Sequence, residues 1–323
     1  MNNLISRWKN KLYGALIPAV PVPFKKDSSV DWESQAKYID YLKAQSLKGV
    51  AVWAHTGRGL FLDRETRKDV LSSWRTSLPK NCFIVAGVGA KEDAALSDKK
   101  YLKNAERMLR DALDGKADLV MPYAPIQYRN HPGREKKILE YYELFSKANV
   151  PLILFYLYQA AGGIEYSIEF VEKLLGMENV VGIKVATLDS VMRFQEIASL
   201  IEDNFPDITL ITGEDRFLPY SLQLGAKAAL IGMGAVLAGM QKEMITAWVN
   251  KNYEQFFKLS RLVDGLGRLI FTDPVEGYIR RILHVLAKLK IISLDASFDP
   301  FGPELPQSDF EKIEIGLSKL NLL

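Results

Sequence analysis

Short apolar runs alternate with longer amphipathic segments over most of this chain. A short run that is apolar throughout is typical of a strand buried on both faces, whereas apolar residues at helical spacing, such as Tyr38, Ile39 and Leu42, indicate a helix. Prolines limit the first strand to the front of its run. Strands are predicted within 14–24 and at 49–53, 83–89, 117–122, 151–158, 180–186, 208–212 and 227–231.

Each predicted strand is followed by a predicted helix. Eight successive β-then-α units are what a closed parallel barrel requires. An open, doubly wound sheet is the competing architecture, but the count of eight and the lack of a glycine-rich dinucleotide fingerprint after the first strand favour the barrel. We therefore predict an α/β fold, a (β/α)8 TIM barrel. Its helices are predicted at 31–47, 64–78, 98–113, 135–148, 167–175, 190–201, 220–222 and 243–249.

Further helices are predicted beyond the eighth unit. The expected organisation is an N-terminal segment at 1–13, the barrel at 14–250 and a C-terminal helical extension at 251–323. Helices left over after barrel closure must pack on the outside of the barrel or on a neighbouring subunit, so the extension offers an oligomer contact. Its predicted elements are helices at 256–269 and 279–290, a proline-rich connector at 299–306, and a last helix ending at Leu323.

Composition and charge restrict the class of protein. The 323 residues are 48% hydrophobic and 25% charged, which is ordinary for a globular protein with a large core. A net charge of +3 with no aromatic and basic alternation argues against a nucleic-acid partner, although small anionic substrates fit it. No run of about 20 apolar residues predicts a membrane span, and residues 1–12 lack a signal-peptide core. We expect a cytoplasmic protein.

Cysteine and histidine usage argues against a metal site. Cys82 is the single cysteine, so no internal disulfide forms. The three histidines, His55, His131 and His284, are far apart in sequence and show no metal-ligand spacing. We expect neither a metal nor another cofactor.

One charged residue stands inside an apolar predicted strand. Lys184 alternates with Ile183 and Val185, so its side chain points away from the face that packs on helices. Burial of an unpaired lysine is costly unless its pKa falls, and a neutral amine condenses with a ketone to form a Schiff base. The alternative is a structural lysine at a strand end, either snorkelling or salt-bridged.

Barrel enzymes place their chemistry where the strands end. The second strand ends in AHTGRG (54–59), where backbone N–H groups and the Thr56 hydroxyl can converge on an anion. The fifth ends in FYLY (155–158), where a tyrosine can relay a proton, and the seventh in TGEDR (212–216), whose charges can bind hydroxyls. Each also has a structural reading, as a glycine turn, an amphipathic tyrosine or a helix cap. Together with Lys184 they describe a 2-oxo acid site.

The sequence resembles the dihydrodipicolinate synthase and N-acetylneuraminate lyase family of class I, pyruvate-type lyases, from about residue 14 to 239. The family's ALVTPF opening is similar to AVPVPF at 19–24, and its GIK Schiff-base strand is intact at 182–184. Its carboxylate-binding GTTGE turn is similar to AHTGR at 54–58. Its catalytic tyrosine lies 28 residues before the lysine, and 184 minus 28 gives Tyr156.

The resemblance implies a role for each matched residue. Lys184 would form the Schiff base and Tyr156 would move the proton, with no metal or organic cofactor. His55 would either add positive charge beside the carboxylate or lend a neutral ring to the proton relay. The family is usually tetrameric, built from dimers, so a dimer or tetramer is expected. The residues expected to bind the substrate are Thr56, His55, Gly57, Tyr123, Gly213 and Asp215.

Some positions depart from the family pattern. Ala161 stands where the synthase has an arginine for a second carboxylate, and Ala124 where a neighbouring subunit would contribute a tyrosine. Arg216 follows Asp215 where the lyase has a second acid. Arg58 and Arg216 either grip a second anionic group or are surface arginines.

These observations predict a lyase, an aldolase or dehydratase, that acts on a 2-oxo acid such as pyruvate or a 2-oxo-3-deoxy sugar acid and is not a true dihydrodipicolinate synthase. The first alternative is a catalytically silent family member that binds a 2-oxo acid or sugar acid and has a regulatory role. The second alternative is a phosphate-binding barrel that uses the GMG turn at 232–234.

Overall fold

Eight parallel strands form the centre of the protein, whose computed structural model describes residues 2–323. Every strand falls inside one of the apolar runs that predicted it. The (β/α)8 barrel expected from the sequence is confirmed. The strands are β1 Ala15–Pro18, β2 Gly49–Val52, β3 Phe83–Val88, β4 Leu119–Pro122, β5 Leu152–Leu157, β6 Val180–Ala186, β7 Thr209–Thr212 and β8 Ala228–Ile231.

Helices surround the strands and continue after the last one. Several begin at a side-chain cap: Asp31 accepts from the N–H of Ser34, and Asp63 from that of Thr66, which satisfies donors that the helix itself cannot. Within residues 2–323, none of the helices has the length and apolarity needed to cross a membrane. The helices are α1 Asn2–Leu12, α2 Trp32–Ala44, α3 Arg64–Ser77, α4 Asp98–Asp114, α5 Arg134–Ser146, α6 Ile168–Leu175, α7 Val191–Asn204, α8 Leu218–Gln223, α9 Ala238–Val249, α10 Tyr253–Ile270, α11 Tyr278–Lys288 and α12 Gln307–Lys319.

The sheet closes on itself. Its hydrogen-bonded order is β1-β8-β7-β6-β5-β4-β3-β2. A parallel bridge between Ala19 and Ala51 joins the two end strands, and the Val20 N–H donates to the Ala51 carbonyl at 3.0 Å. Closure pairs backbone hydrogen-bonding groups of the two end strands. It also brings the C-terminal ends of all eight strands to one mouth of the barrel.

Alternation along the strands produces two apolar cores. In β5, Ile153, Phe155 and Leu157 belong to the core inside the barrel, whereas Leu154 and Tyr156 belong to the core between the strands and the helices. Successive residues of a strand point to opposite faces, so a shift of one residue exchanges the two cores.

The N-terminal helix α1 closes the floor of the barrel. Trp8 and Leu12 are buried with the barrel interior, and the Trp8 ring meets Phe83 edge-on with 5.5 Å between centroids. Lys9 donates to the Pro206 carbonyl and to the Asp207 carboxylate at 2.8 Å. The floor is therefore filled, and access to the interior is from the opposite end.

The C-terminal extension folds back over the barrel. Helix α10 packs along α9, and the fully buried Arg281 of α11 pairs with Asp309 of α12 at 2.8 Å. The Arg281 guanidinium also donates to the carbonyl groups of Ile270 and Thr272. These contacts fix the segment that joins α10 to α11, which lies across the mouth of the barrel.

Candidate active site

Lys184 lies inside the barrel near the C-terminal end of β6. It pairs in register with Phe155 of β5, and its Nζ stands 4.2 Å from the centre of the Phe155 ring. Only 6% of the residue is exposed. A Cβ atom at Gly213 would lie 2.6 Å from Lys184 Cε, so only glycine leaves room for the lysine side chain there. The strand alternation thus places the amine as the sequence predicts.

Burial lowers the pKa of Lys184 to about 8, because the protein interior disfavours the ammonium form. The nearby carboxylates of Asp215 and Glu214 oppose this shift but do not cancel it. At neutral pH about a tenth of Lys184 is then the free amine, far more than for a solvated lysine. The residue is suited to attack a carbonyl carbon.

Two acidic residues after β7 border the amine. Glu214 accepts from the N–H groups of Thr187 and Leu188 beyond β6, and Asp215 accepts from the Met233 N–H at 2.6 Å. Burial raises the pKa of each carboxyl to about 7. Their hydrogen bonds brace the turns after β6 and β8, so both acids help to shape the mouth.

The turn after β2 meets a tyrosine from the C-terminal extension. The Tyr278 hydroxyl lies 2.9 Å from Thr56 Oγ1 and 3.1 Å from His55 Nδ1. The Tyr278 ring stacks on Phe271, with 4.7 Å between centroids, and lies parallel to the His55 ring. A hydroxyl pair thus forms at the site where the sequence predicts carboxylate binding.

His55 is neutral in this setting. Burial lowers its pKa to about 3, and the cations Arg58 and Lys184 act in the same direction. Of the two roles expected for His55, positive charge beside a carboxylate does not fit, whereas a neutral ring that donates from one nitrogen and accepts at the other does.

Tyr156 does not face Lys184. Its side chain lies between the strands and the helices, where its ring meets Tyr166 edge-on with 6.1 Å between centroids. The prediction of Tyr156 as the catalytic phenol is therefore wrong, because the strand neighbour of Lys184 is Phe155, 29 residues before it by the difference 184 minus 155. When the number of residues between two positions is wrong by one, the residue selected lies on the opposite face of its strand.

Two other residues expected at the site serve the scaffold. The Gly57 N–H donates to the Ala54 carbonyl at 2.9 Å inside the turn. The Tyr123 hydroxyl donates to the Trp53 carbonyl at 2.5 Å, outside the cavity next to Lys184. Neither group is free for a substrate in this arrangement.

The two arginines weighed for a second anionic group are also engaged. Arg58 is 5% exposed and forms a two-pronged pair with Asp299, at 2.7 Å and 3.3 Å. Arg216 donates to the Phe271 carbonyl at 2.7 Å. Arg58 is thus a buried structural ion pair rather than a surface arginine, and both residues hold the C-terminal extension on the barrel.

A cavity of about 40 Å³ lies at the mouth, with room for about three water molecules. Lys184, Thr56, His55, Gly213 and Asp215 line it, so the structure brings together five of the eight residues expected at the site. Among residues 2–323, no group of three histidine, cysteine or acidic side chains is placed to hold a metal ion. The other lining residues are Phe155, Leu157, Tyr158, Ala161, Ala186, Leu188, Glu214, Gly232, Phe271, Val275, Glu276 and Tyr278.

No motif in the sequence marks the residues that the extension contributes to the site. Tyr278 and Glu276 stand more than 200 positions after the turn they contact. Neither belongs to a motif, and Tyr278 lies at the start of α11, one of the helices that the sequence predicts to pack on the outside of the barrel or on a neighbouring subunit. Phe155 is placed on the inner face by its pairing with Lys184, and the sequence does not determine that register.

Comparisons with known proteins agree with this fold. A model of the "Dihydrodipicolinate synthetase family" matches residues 12–303. The 4-hydroxy-tetrahydrodipicolinate synthase of Archaeoglobus fulgidus is 25% identical over 316 residues, which cover 97% of this chain and 100% of that protein.

Solved structures show the same fold. N-acetylneuraminate lyase from Mycoplasma synoviae has a TM-score of 0.76 at 23% identity, with 97% of this chain and 99% of that chain covered. YagE, a prophage protein of the dihydrodipicolinic acid synthase family from E. coli K12 in complex with pyruvate, has a TM-score of 0.83 at 18% identity, with 96% and 99% covered. The chain therefore belongs to the dihydrodipicolinate synthetase family, whose members are class I aldolase-type lyases.

Proposed function

We propose that the protein is a Schiff-base-forming lyase that acts on a 2-oxo acid, by aldol cleavage or condensation or by dehydration of a 2-oxo-3-deoxy sugar acid. The observation that carries the proposal is Lys184, a buried amine with a lowered pKa at the wall of a small cavity. A buried lysine without a salt bridge is costly, and imine chemistry gives a reason for it.

The proposed reaction begins with the free amine of Lys184. Its nitrogen attacks the keto carbon, and the carbinolamine loses water to give an iminium ion. In aldol cleavage the substrate hydroxyl loses a proton, the carbon–carbon bond breaks to release an aldehyde, and its electrons move into the iminium to give an enamine, which is then protonated at carbon. In dehydration the carbon next to the iminium loses a proton to give the enamine, which then expels the hydroxyl of the following carbon as water. Hydrolysis of the resulting iminium returns the amine and releases the 2-oxo acid.

Polar groups next to the amine suit the carboxylate of such a substrate. Thr56 and Tyr278 place two hydroxyl groups at the cavity wall. When Tyr278 donates to Thr56, the Thr56 hydroxyl can donate to a carboxylate, and in a buried site such a hydrogen bond is stronger than in water. The complex of YagE with pyruvate supports a small 2-oxo acid as the ligand.

Several lining residues of the cavity favour a substrate without a second acid group. Leu157, Leu188 and Val275 are apolar, and Ala161 takes the place of the synthase arginine. The lining contains no arginine among the described residues, and Glu276 would repel a second carboxylate. We therefore propose that condensation with aspartate semialdehyde is not the reaction of this protein.

A second candidate is a protein that binds a 2-oxo acid without turning it over. Phe155 favours it, because the strand position beside Lys184 has no hydroxyl to move a proton. Such a protein would still capture the ligand through Lys184 but would release no product.

Pyruvate release from a panel of 2-oxo-3-deoxy acids and sialic acids tests the proposal. Release from at least one compound, abolished in Lys184→Ala, is the expected result. Borohydride trapping of pyruvate on the protein without any release from the panel would favour the silent binder. If the protein shows neither borohydride trapping of pyruvate nor pyruvate release, both candidates are contradicted.

A further inference from the structure

Four side chains form a continuous polar path from the cavity to solvent. Thr56 Oγ1 lies 2.9 Å from the Tyr278 hydroxyl, which lies 3.1 Å from His55 Nδ1. His55 Nε2 stands 3.5 Å from a Glu276 carboxylate oxygen. Thr56 is 3% exposed and lines the cavity, whereas 36% of the Glu276 side chain is exposed. The path therefore runs from the buried Thr56 to the solvent-exposed carboxylate of Glu276.

Packing holds the middle of this path in place. The Tyr278 ring stacks on Phe271, with 4.7 Å between centroids, and the rings of Phe271 and His55 are parallel to it within about 20°. The Phe271 carbonyl is fixed by Arg216, and Arg58 Nη1 lies 3.5 Å from the same Glu276 oxygen that His55 meets. The hydroxyl of Tyr278 thus has little freedom to leave its two partners.

Schiff-base chemistry needs such a path, because protons leave and return at the substrate carbon and at the carbinolamine oxygen. The strand position beside Lys184 is Phe155, which cannot supply one. We propose that Tyr278, through Thr56, His55 and Glu276, carries protons between the cavity and solvent. This inference depends on the proposed function, and it assigns the relay to the C-terminal extension of the same chain.

The proton balance works in both directions. In the starting state His55 carries its proton on Nε2, which faces the Glu276 carboxylate oxygen at 3.5 Å, while Nδ1 accepts from Tyr278 and the Tyr278 oxygen accepts from Thr56, so the Thr56 oxygen can take a proton from the cavity. Each hydroxyl then passes its own proton onward, and Glu276 receives the last one. The path ends with all hydrogen bonds reversed and can deliver a proton back. No group changes its oxidation state.

Deuterium exchange at the methyl group of pyruvate measures this step apart from bond cleavage. The protein is incubated with pyruvate in D2O and the methyl signal is followed by proton NMR, while borohydride trapping measures the adduct on Lys184. Tyr278→Phe keeps the stacked ring and removes only the hydroxyl. We expect exchange to slow by about a hundredfold to ten-thousandfold, with trapping retained after long incubation.

Tyr156→Phe is the matched control, because it removes a tyrosine hydroxyl of similar burial from the outer face of the neighbouring strand. Its exchange rate should equal that of the unmodified protein. Glu276→Gln removes the carboxylate at the solvent-exposed end of the path and leaves the Tyr278 ring unchanged. We expect slower exchange that rises with the concentration of a small buffer base, a dependence that a purely structural role would not produce.

The outcomes separate this inference from the proposed function. No trapped adduct in the unmodified protein would contradict the proposed function itself. Normal trapping together with unchanged exchange in Tyr278→Phe would overturn the relay alone. So would loss of exchange in Tyr158→Phe but not in Tyr278→Phe, because Tyr158 is the other tyrosine lining the cavity.

Discussion

The barrel wall and the C-terminal extension contribute different kinds of group to one cavity. Strands β5 and β6 supply a reactive amine against an aromatic face, with Gly213 leaving the space for it. The segment at 271–278 supplies a hydroxyl, a carboxylate and apolar cover. The strands are fixed by hydrogen bonds on both sides, whereas the segment is held by a few side-chain contacts.

The two regions therefore have different roles in the proposed chemistry of the protein. In the proposed reaction, the amine on a rigid strand forms the imine, and residues on a connecting segment move the protons. The extension predicted as outer packing thus becomes part of the site. Its assembly into a dimer or tetramer stays a prediction.

Removing the barrel's contribution has the largest expected effect. Lys184→Ala should abolish turnover and trapping, because no other group in the cavity is an amine. The far-ultraviolet circular dichroism should not change. Lys227→Ala, an exposed lysine just before β8, is the control and should keep full activity. Turnover by Lys184→Ala would refute the amine's role.

Detaching the extension tests the other side of the comparison. Arg58→Ala leaves the buried Asp299 carboxylate without its partner, and the side chains are only 5% and 2% exposed. We expect a loss of about 3–5 kcal/mol in the free energy of unfolding, measured by urea titration. Arg268→Ala breaks an exposed pair with Asp264 in α10 and should cost less than about 1 kcal/mol. Equal costs would show that Arg58 does not anchor the extension.

Crowding the amine should have a smaller effect on activity. In Gly213→Ala the new Cβ would lie 2.6 Å from Lys184 Cε, so the lysine must move. A displacement of about 1 Å at a reacting group costs roughly a hundredfold in rate, and we expect a loss of that size in kcat/KM. Gly176→Ala, where the nearest atom is 3.6 Å away, is the control. An unchanged rate in Gly213→Ala would mean that the position of Lys184 is not limiting.

Among these changes, a shift in the pKa of Lys184 should have the smallest effect on the rate. The neutral amine attacks, so kcat/KM for pyruvate methyl exchange should rise about tenfold per pH unit below about pH 8 and level off above it. Asp215→Asn removes a carboxylate that raises the pKa of Lys184, so the inflection should move to lower pH. A profile that does not respond to Asp215→Asn would assign the inflection to another group.

The sequence was sufficient for the barrel and for Lys184, because both follow from strand periodicity. The alternation of Lys184 with Ile183 and Val185 places its side chain inside the barrel, independently of the conformation of the loops. Tyr156 could not be placed by counting, since one additional residue between two strands exchanges the faces. Tyr278 could not be found at all, because its contact with Thr56 depends on how the last helices pack. Local patterns predict local placement, and long-range packing needs the structure.

Borohydride trapping in the presence of pyruvate, followed by peptide mass spectrometry, measures directly whether Lys184 forms an imine. We expect a single added reduced pyruvate on the peptide that contains Lys184, and none in Lys184→Ala. Two results would contradict imine formation at Lys184. One is the absence of any adduct, and the other is an adduct on another lysine that forms in Lys184→Ala with the same yield as in the unmodified protein.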